Sequence, residues 1–118
     1  MVHPSRGFAI SRRMWRYLPN RTSGSLYDNR STNELVQFTN SEMSWSNVSR
    51  RDATITANIR DETRTWKLPA DLVGSNEPKT GYRIHETGGG VWEILNVSLR
   101  SAQHMYHCVT VKLMEHPD

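Results

Sequence analysis

Residues 81–95 read GYRIHETGGGVWEIL, two strand-like apolar runs on either side of three consecutive glycines. Glycine reaches positive φ without steric cost, so Gly88–Gly90 suit the turn of an antiparallel hairpin. A phosphate-binding loop would need a helix directly after the glycines, whereas Val91 here begins an apolar, alternating run. The stretch therefore predicts a β-hairpin. Its predicted inner face holds Tyr82, Ile84, Trp92 and Ile94.

Other runs of strand character lie around this hairpin. They cover residues 34–38, 52–60, 63–69 and 105–113. In 52–60 we place Ile55 in the core, and in 63–69 we place Trp66 and Leu68 there, because these residues occupy alternate positions. The two runs are predicted to pair as a hairpin about Asp61-Glu62. Together the runs indicate an antiparallel sheet that must close or pack on a second sheet.

Three local features refine this sheet. Pro69 should open a single helical turn that ends at Gly74. A bulge near Leu95-Asn96 would reconcile Trp92 and Ile94 with a later apolar pair that is out of phase by one residue. In the last strand the expected core face comprises Val109, Val111 and Leu113.

The chain divides into three parts. We expect a basic N-terminal arm and loop at 1–33, a β-barrel domain at 34–114 with a long loop at 39–51, and a frayed tail at 115–118. Residues 11–18 fit either a short helix or a strand. The fold class is all-β: a small antiparallel β-barrel or sandwich with long loops and an extended N-terminal arm.

Length and composition bound the function. The chain has 118 residues and 13.6 kDa, enough for one domain with its own core. Cys108 is its only cysteine, so an internal disulfide is excluded, which fits a reducing compartment. No run approaches the roughly 18 apolar residues of a membrane span. We therefore expect no membrane partner.

The positive charge is concentrated in the first 30 residues. They contain six arginines against one acid, whereas the rest of the chain is slightly acidic. Arginine suits bidentate contacts with carboxylates or phosphates, so the arm fits either nucleic acid or the acidic face of a neighbouring subunit. We assign a partner or subunit interface to Arg12, Arg13, Trp15 and Arg16.

The histidine and cysteine residues of this chain are poorly spaced for a catalytic or metal site. His107 and Cys108 are adjacent, so on a strand their side chains point apart and cannot pair. His104 and His107 fall on opposite faces, which is poor metal geometry. We expect no catalytic residue, no metal and no cofactor, and therefore no enzyme.

The run from Thr63 to Val97 resembles a pattern in the head–tail joining, or head-closure "stopper", proteins of tailed bacteriophages. The matching segments are Leu68-Pro69-Ala70-Asp71-Leu72, Glu77-Pro78, Gly81-Tyr82-Arg83-Ile84 and Trp92-Glu93-Ile94-Leu95. The run covers about a third of the chain, and the pattern in it consists of turn and core residues. Position 82 is Tyr where the pattern often has Asp.

The resemblance implies a structural protein without catalytic site or cofactor. Such proteins are small β-barrels that form rings in the virion neck between the portal or adaptor and the tail terminator, and they help retain packaged DNA. By loop length and position, the 39–51 loop would be the channel-facing element, with Trp45, Arg50 and Arg51 as candidate residues. The implied partners are copies of the chain itself, in a ring of about six or twelve, the neighbouring neck proteins, and DNA through non-specific contacts. Assembly would take place in the host cytoplasm.

Two alternatives remain open. The first is another minor virion role, such as tail completion or capsid decoration. The second is an OB-like nucleic-acid-binding domain, which would need basic and aromatic residues together on one sheet face.

Overall fold

Six antiparallel strands close into a barrel in the computed structural model, which describes residues 17–59 and 61–113. The strands are β1 (Arg21–Tyr27), β2 (Glu34–Ser46), β3 (Thr63–Pro69), β4 (Arg83–Glu86), β5 (Val91–Arg100) and β6 (Met105–Leu113). Around the barrel their order is β1-β2-β3-β6-β5-β4, so β4 pairs back onto β1 and leaves no open edge. The predicted all-β barrel is confirmed.

Short helical turns connect the strands. Helix α1 (Ala70–Val73) follows Pro69 and ends at Gly74, which has φ +59°, as the sequence predicts. The amide of Ala70 donates to the carbonyl of His104 at 2.8 Å, which ties α1 to the turn before β6. Two 3₁₀ turns cover Arg50–Asp52 and Ser101–Gln103.

Apolar side chains fill the barrel interior. Trp66 and Trp92 are fully buried and pack edge to face, with ring centroids 5.8 Å apart. Five predicted core residues are confirmed as buried: Trp66, Leu68, Ile84, Trp92 and Ile94. The interior also holds Leu26, Phe38, Met43 and Cys108. Side chains therefore fill the interior of this six-stranded barrel.

The glycine run turns the hairpin between β4 and β5. The amide of Glu86 donates to Gly90 O and the amide of Gly89 donates to Glu86 O, both at 3.0 Å. Gly88 has φ +75°. The pairing of β5 with β6 shifts between Ile94 and Asn96, where the sequence places a bulge. Both predictions are confirmed.

The N-terminal boundary of the barrel was predicted wrongly. Strand β1 lies in a segment expected to be loop, so the barrel begins at Arg21 rather than residue 34. Leu26 is the only large apolar residue that β1 contributes to the interior, which weakens the alternation signal. The described residues begin at Tyr17, so the prediction for most of the arm lies outside them.

The predicted loop at 39–51 is largely strand, because β2 continues to Ser46. The strand is nevertheless kinked: Asn40 and Ser41 both have positive φ, and the register with β1 jumps between Phe38 and Met43. The polar residues around the kink interrupt the apolar alternation of β2, so the sequence pattern does not indicate that the strand continues.

The predicted strand at 52–60 is wrong, and so is its hairpin with β3. Residues 50–59 form successive turns, for example with Ile55 N donating to Asp52 O at 3.0 Å and Ile59 N donating to Thr56 O at 3.0 Å. Both edges of β3 are already paired, with β2 and β6, so a further strand has no partner there. Ile55 is only half-buried and does not belong to the core.

The expected core face of β6, with Val109, Val111 and Leu113, has the wrong phase, although Val109 itself is buried. Cys108 lies opposite Trp66 and Thr110 lies opposite Ile94, so the even-numbered residues point inward. Thr110 is tolerated inside because its hydroxyl donates to the carbonyl of Arg64 at 3.0 Å. The valines therefore face outward, and Val109 is 2% exposed on that side.

Candidate functional site

Four neighbouring strands bring polar side chains together on the outer face of the barrel. Lys67 on β3 lies directly opposite His107 on β6, and His107 lies opposite Ser98 on β5. Thr65, two residues before Lys67, lies opposite Ser46 on β2. Opposed residues of antiparallel strands project to the same side. These residues therefore share one surface.

The connection after β2 borders this surface and makes it concave. Asn47, Ser49, Arg51 and Asp52 line a cleft together with Ser46, Thr65, Lys67, Arg100 and His107. Ser49 shapes the connection as the cap of the 3₁₀ turn, accepting from the amide of Asp52 at 3.3 Å. The cleft has a volume of about 380 Å³. We call it the basic pocket.

Positive charge predominates in the basic pocket. Among the described residues that line it, Arg51, Lys67 and Arg100 contribute three cations and Asp52 contributes the only carboxylate. Within the described part of the chain, no salt bridge shorter than 4.0 Å neutralises any of these cations. The Asp52 carboxylate instead accepts a hydrogen bond from the Ser49 hydroxyl at 3.0 Å. The pocket therefore carries an excess of positive charge.

Two buried polar atoms of the pocket residues have no hydrogen-bond partner within residues 17–59 and 61–113. One is Oγ1 of Thr65, a residue that is 4% exposed, and the other is Nε of Arg100. An unpaired buried donor costs about 1–3 kcal/mol, so a polar ligand that bonds to either atom would recover part of this cost.

The environment of His107 reflects the same electrostatics. Burial, followed by the charges of Arg100 and Lys67, lowers the pKa of His107 from 6.5 to about 4, and Asp52 opposes the shift only weakly. Burial also lowers the pKa of Lys67. The imidazole is therefore neutral near pH 7, and a neutral ring donates a hydrogen bond from one nitrogen only. Its Nε2 lies 3.3 Å from the acceptor Gln103 Oε1.

We expect His107 to make folding stability depend on pH. Its pKa is lower in the folded protein than in the unfolded chain, so between pH 6.5 and 4 the unfolded chain binds more protons. The stabilisation is complete above pH 6.5 and is lost as the pH falls towards 4. Since the side chain is only partly buried, we expect a loss of about 1 kcal/mol.

Urea denaturation of wild type and His107→Gln from pH 7 to pH 4, in phosphate-free buffer, measures this dependence. The variant should lose less stability on acidification, by about 1 kcal/mol. His104→Gln replaces an exposed histidine in the same turn region and serves as the control. Equal pH dependence in wild type and His107→Gln would contradict the prediction.

The predicted channel-facing residues separate in space. Arg51 lines the basic pocket and Arg50 lies exposed in the same 3₁₀ turn. Trp45 lies on β2 instead of in a loop, opposite Trp66, and packs against the core. The predicted placement of Trp45 in a loop is wrong, because β2 continues beyond the kink to Ser46. The predicted arm residues Arg12, Arg13, Trp15 and Arg16 lie outside the described residues.

Trp45 belongs to a stack around Arg64. The guanidinium carbon of Arg64 lies 3.6 Å from the ring centroid of Trp45 and 4.3 Å from that of Trp92. The same guanidinium forms salt bridges with Glu62 at 3.1 Å and Glu86 at 3.4 Å. This cluster joins β2, β3, β4 and β5 and has a structural role.

The surroundings of Cys108 and His85 indicate structural roles for both residues. Cys108 points into the core and burial raises the pKa of its thiol, while His107 points outward. His85 Nε2 lies 3.0 Å from Ser31 Oγ, but Arg83 donates to the same oxygen at 3.3 Å, which indicates an anchor for the β1–β2 turn. In the described ranges, no three histidine, cysteine, aspartate or glutamate side chains form a metal-binding group.

Sequence reasoning missed Lys67, Arg100 and His107 as a group. They lie on three different strands, and only the pairing of β3 with β6 and of β6 with β5 brings them together. If the inner face of β6 had been predicted correctly, His107 would have been placed on the outer face. Its position opposite Lys67 also depends on the pairing of β6 with β3.

No protein-family model, curated protein or solved structure matches this chain. Among the described residues, no helix is long and apolar enough to cross a lipid bilayer.

Proposed function

We propose that this chain is a structural subunit of a tailed-phage virion neck. It would form a ring, as a head-closure (stopper) or head–tail joining protein, that links the portal or adaptor to the tail and helps retain packaged DNA. The subunit would assemble in the host cytoplasm and reside in the virion.

The main support is the position of the residues that carry the resemblance. Leu68, Ile84 and Ile94 are fully buried in the barrel, and Trp92 is buried beside them. The Pro-Ala-Asp-Leu segment forms α1 after β3, and Gly81 has φ +95° before β4. The resembling segments therefore act as one unit of the fold, namely β3, α1 and the β4–β5 hairpin. This arrangement suits a barrel that functions as a building block.

The packed interior supports the same proposal. The barrel core is occupied by tryptophan and aliphatic side chains, so interactions with partners fall to the outer surface and the connections. The exposed connection after β2, with Arg50 and Arg51, supplies one such surface. The basic N-terminal arm supplies another, and the slightly acidic remainder of the chain complements it.

Charge reversal in the arm should prevent ring assembly. We expect Arg12→Glu combined with Arg16→Glu to leave the barrel folded and to shift the protein from a ring of about six or twelve copies to monomer, because like charges would then meet at the interface. Native mass spectrometry of the full chain, alone and mixed with portal, adaptor and tail-terminator proteins, measures this.

Lys79→Glu combined with Lys112→Glu is the matched control, since both lysines are exposed on the barrel and the net charge changes equally. The control should assemble as wild type does. A wild-type monomer that joins no complex with neck proteins would contradict the neck function.

One observation favours the nucleic-acid-binding alternative. The basic pocket places Lys67 and Arg100 on an outer sheet face, where a strand of nucleic acid could reach them. Among the described residues, Trp45 and Trp66 pack inward and leave that face without the stacking aromatics of an OB-like site. DNA affinity that falls steeply with salt, in a protein that remains monomeric, would favour this alternative.

A further inference from the structure

We infer that the basic pocket is a binding site for a phosphate group. The inference stands apart from the neck function, because it depends only on the residues that line the pocket. Those that carry it are Arg51, Thr65, Lys67, Arg100 and His107.

The charge balance favours phosphate over a carboxylate. The lining contains three cations and one carboxylate, and that carboxylate is engaged by Ser49. A phosphate monoester carries about two negative charges and three acceptor oxygens, so it neutralises such a site more fully than a singly charged carboxylate. Arginine and lysine together are common phosphate ligands.

The hydrogen-bond inventory points the same way. Thr65 lines the cleft, and its buried Oγ1 has no hydrogen-bond partner among the described residues, so a rotation of the side chain lets the hydroxyl donate to an oxyanion at no cost in broken bonds. Nε of Arg100 is a second unpaired donor. A tetrahedral oxyanion accepts from several directions at once, as donors on three separate strands would require.

His107 lies at the centre of this group and supplies a third donor once its ring is protonated, because the neutral ring has a single N–H and Nε2 lies 3.3 Å from the acceptor Gln103 Oε1. It lies between Lys67 on β3 and Ser98 on β5, and it faces Arg100 and Asp52 as well as Gln103. A bound dianion offsets the two cations that disfavour imidazolium. Phosphate binding should therefore raise the pH at which the His107 ring titrates.

The cleft is wide enough for the group that carries the phosphate. Its volume of about 380 Å³ falls in the range of small-molecule sites, which begins at roughly 300 Å³. A second cleft beside Gly88–Gly90 lacks this character, because Asp61 and Glu62 face Lys112 there. The glycine run thus borders the less basic of the two clefts.

The test is a titration of the full-length protein with inorganic phosphate, followed by NMR of the backbone amides and the His107 ring. Ionic strength is held constant with sodium chloride. We expect shifts at Thr65, Lys67, Arg100 and His107, and a His107 titration midpoint moved to higher pH. Shifts confined to other residues, or none at the highest phosphate concentration, would overturn the inference.

Variants locate the binding. Lys67→Gln and Arg100→Gln should each weaken phosphate affinity about tenfold, because each removes a charge-assisted contact. Thr65→Val, which keeps the buried shape and removes only the unpaired hydroxyl, should weaken it about threefold. Lys79→Gln, an exposed lysine in the connection before β4, is the matched control and should bind as wild type does. An affinity that survives all three pocket substitutions overturns the site.

Two further probes identify the source of the phosphate. A nucleoside monophosphate that binds more tightly than inorganic phosphate, with single-stranded DNA no tighter, identifies a free small ligand. Single-stranded DNA that binds most tightly, with loss of affinity in Lys67→Gln, identifies a nucleic-acid backbone. A glutamate-rich peptide that binds in the pocket when phosphate does not would overturn the inference in favour of a protein carboxylate.

Discussion

Replacement of Gly24 by alanine is expected to lower the free energy of unfolding by about 3 kcal/mol, at the upper end of the usual cost of overpacking. Gly24 lies in β1, opposite Phe38 on β2 and Glu86 on β4. A Cβ at this position would overlap the carbonyl oxygen of His85 and the terminal methyl of Met43. The methyl can move, but the carbonyl belongs to the backbone of β4.

The cost is large because β1 is the strand that closes the barrel. Pairing between β1 and β4 extends only from Gly24 to Tyr27 on one side and from Arg83 to Glu86 on the other. A side chain at Gly24 pushes these strands apart at the end of that short ladder. The interior beside Met43 is then opened to water.

Urea denaturation monitored by tryptophan fluorescence measures the effect. Ser25→Ala, at the next position of β1 and outside the core, is the control and should change stability by less than about 0.5 kcal/mol. A Gly24→Ala protein as stable as the control would show that β4 shifts to accommodate the side chain without cost.

Arg64 is expected to give the second large effect. Arg64→Ala should destabilise the protein by about 3–5 kcal/mol, because removal of one partner leaves a largely buried charge uncompensated. The charge left behind is that of Glu86, whose side chain is 17% exposed. The substitution also removes the cation between the rings of Trp45 and Trp92.

A double-mutant cycle separates these contributions. Arg64→Met keeps much of the packing volume and loses the charge, so Glu86→Gln in the Arg64→Met background should recover at least about 1 kcal/mol. Glu86→Gln alone should destabilise, because Arg64 then keeps only the more exposed Glu62 as a partner. Additive effects of the two substitutions would mean that the ion pair contributes nothing and that Arg64 acts only by packing.

Sequence patterns predict the segment from β3 to β5 well. The hairpin from Arg83 to Arg100 combines apolar alternation with a glycine turn, and both signals act over short distances. The same holds for α1, where Pro69 and Gly74 mark the two ends. In these segments, local chemistry and the tertiary fold require the same conformation.

The first half of the fold is harder to predict from sequence, because contacts with neighbouring strands decide which of its segments form strands. Strand β1 has Gly24 at an inner position only because β4 and Met43 approach closely there. Residues 52–59 alternate as a strand does, but β3 offers them no free edge. The basic pocket fails to appear in the sequence for the same reason. Lys67 is 33 residues from Arg100 and 40 residues from His107 in the sequence, whereas β3, β6 and β5 are consecutive strands of the barrel.

The two-sided pairing of β1 has a mechanical consequence. The chain that precedes Arg21 enters the barrel through this strand, which is hydrogen-bonded to β2 on one side and β4 on the other. Antiparallel hydrogen bonds lie across the strand axis. Tension along the N-terminal segment therefore loads the bonds on both flanks together, in shear, instead of breaking them one by one as in unzipping. We therefore expect tension along the axis of β1 to meet more resistance than a force that peels the strand from one side.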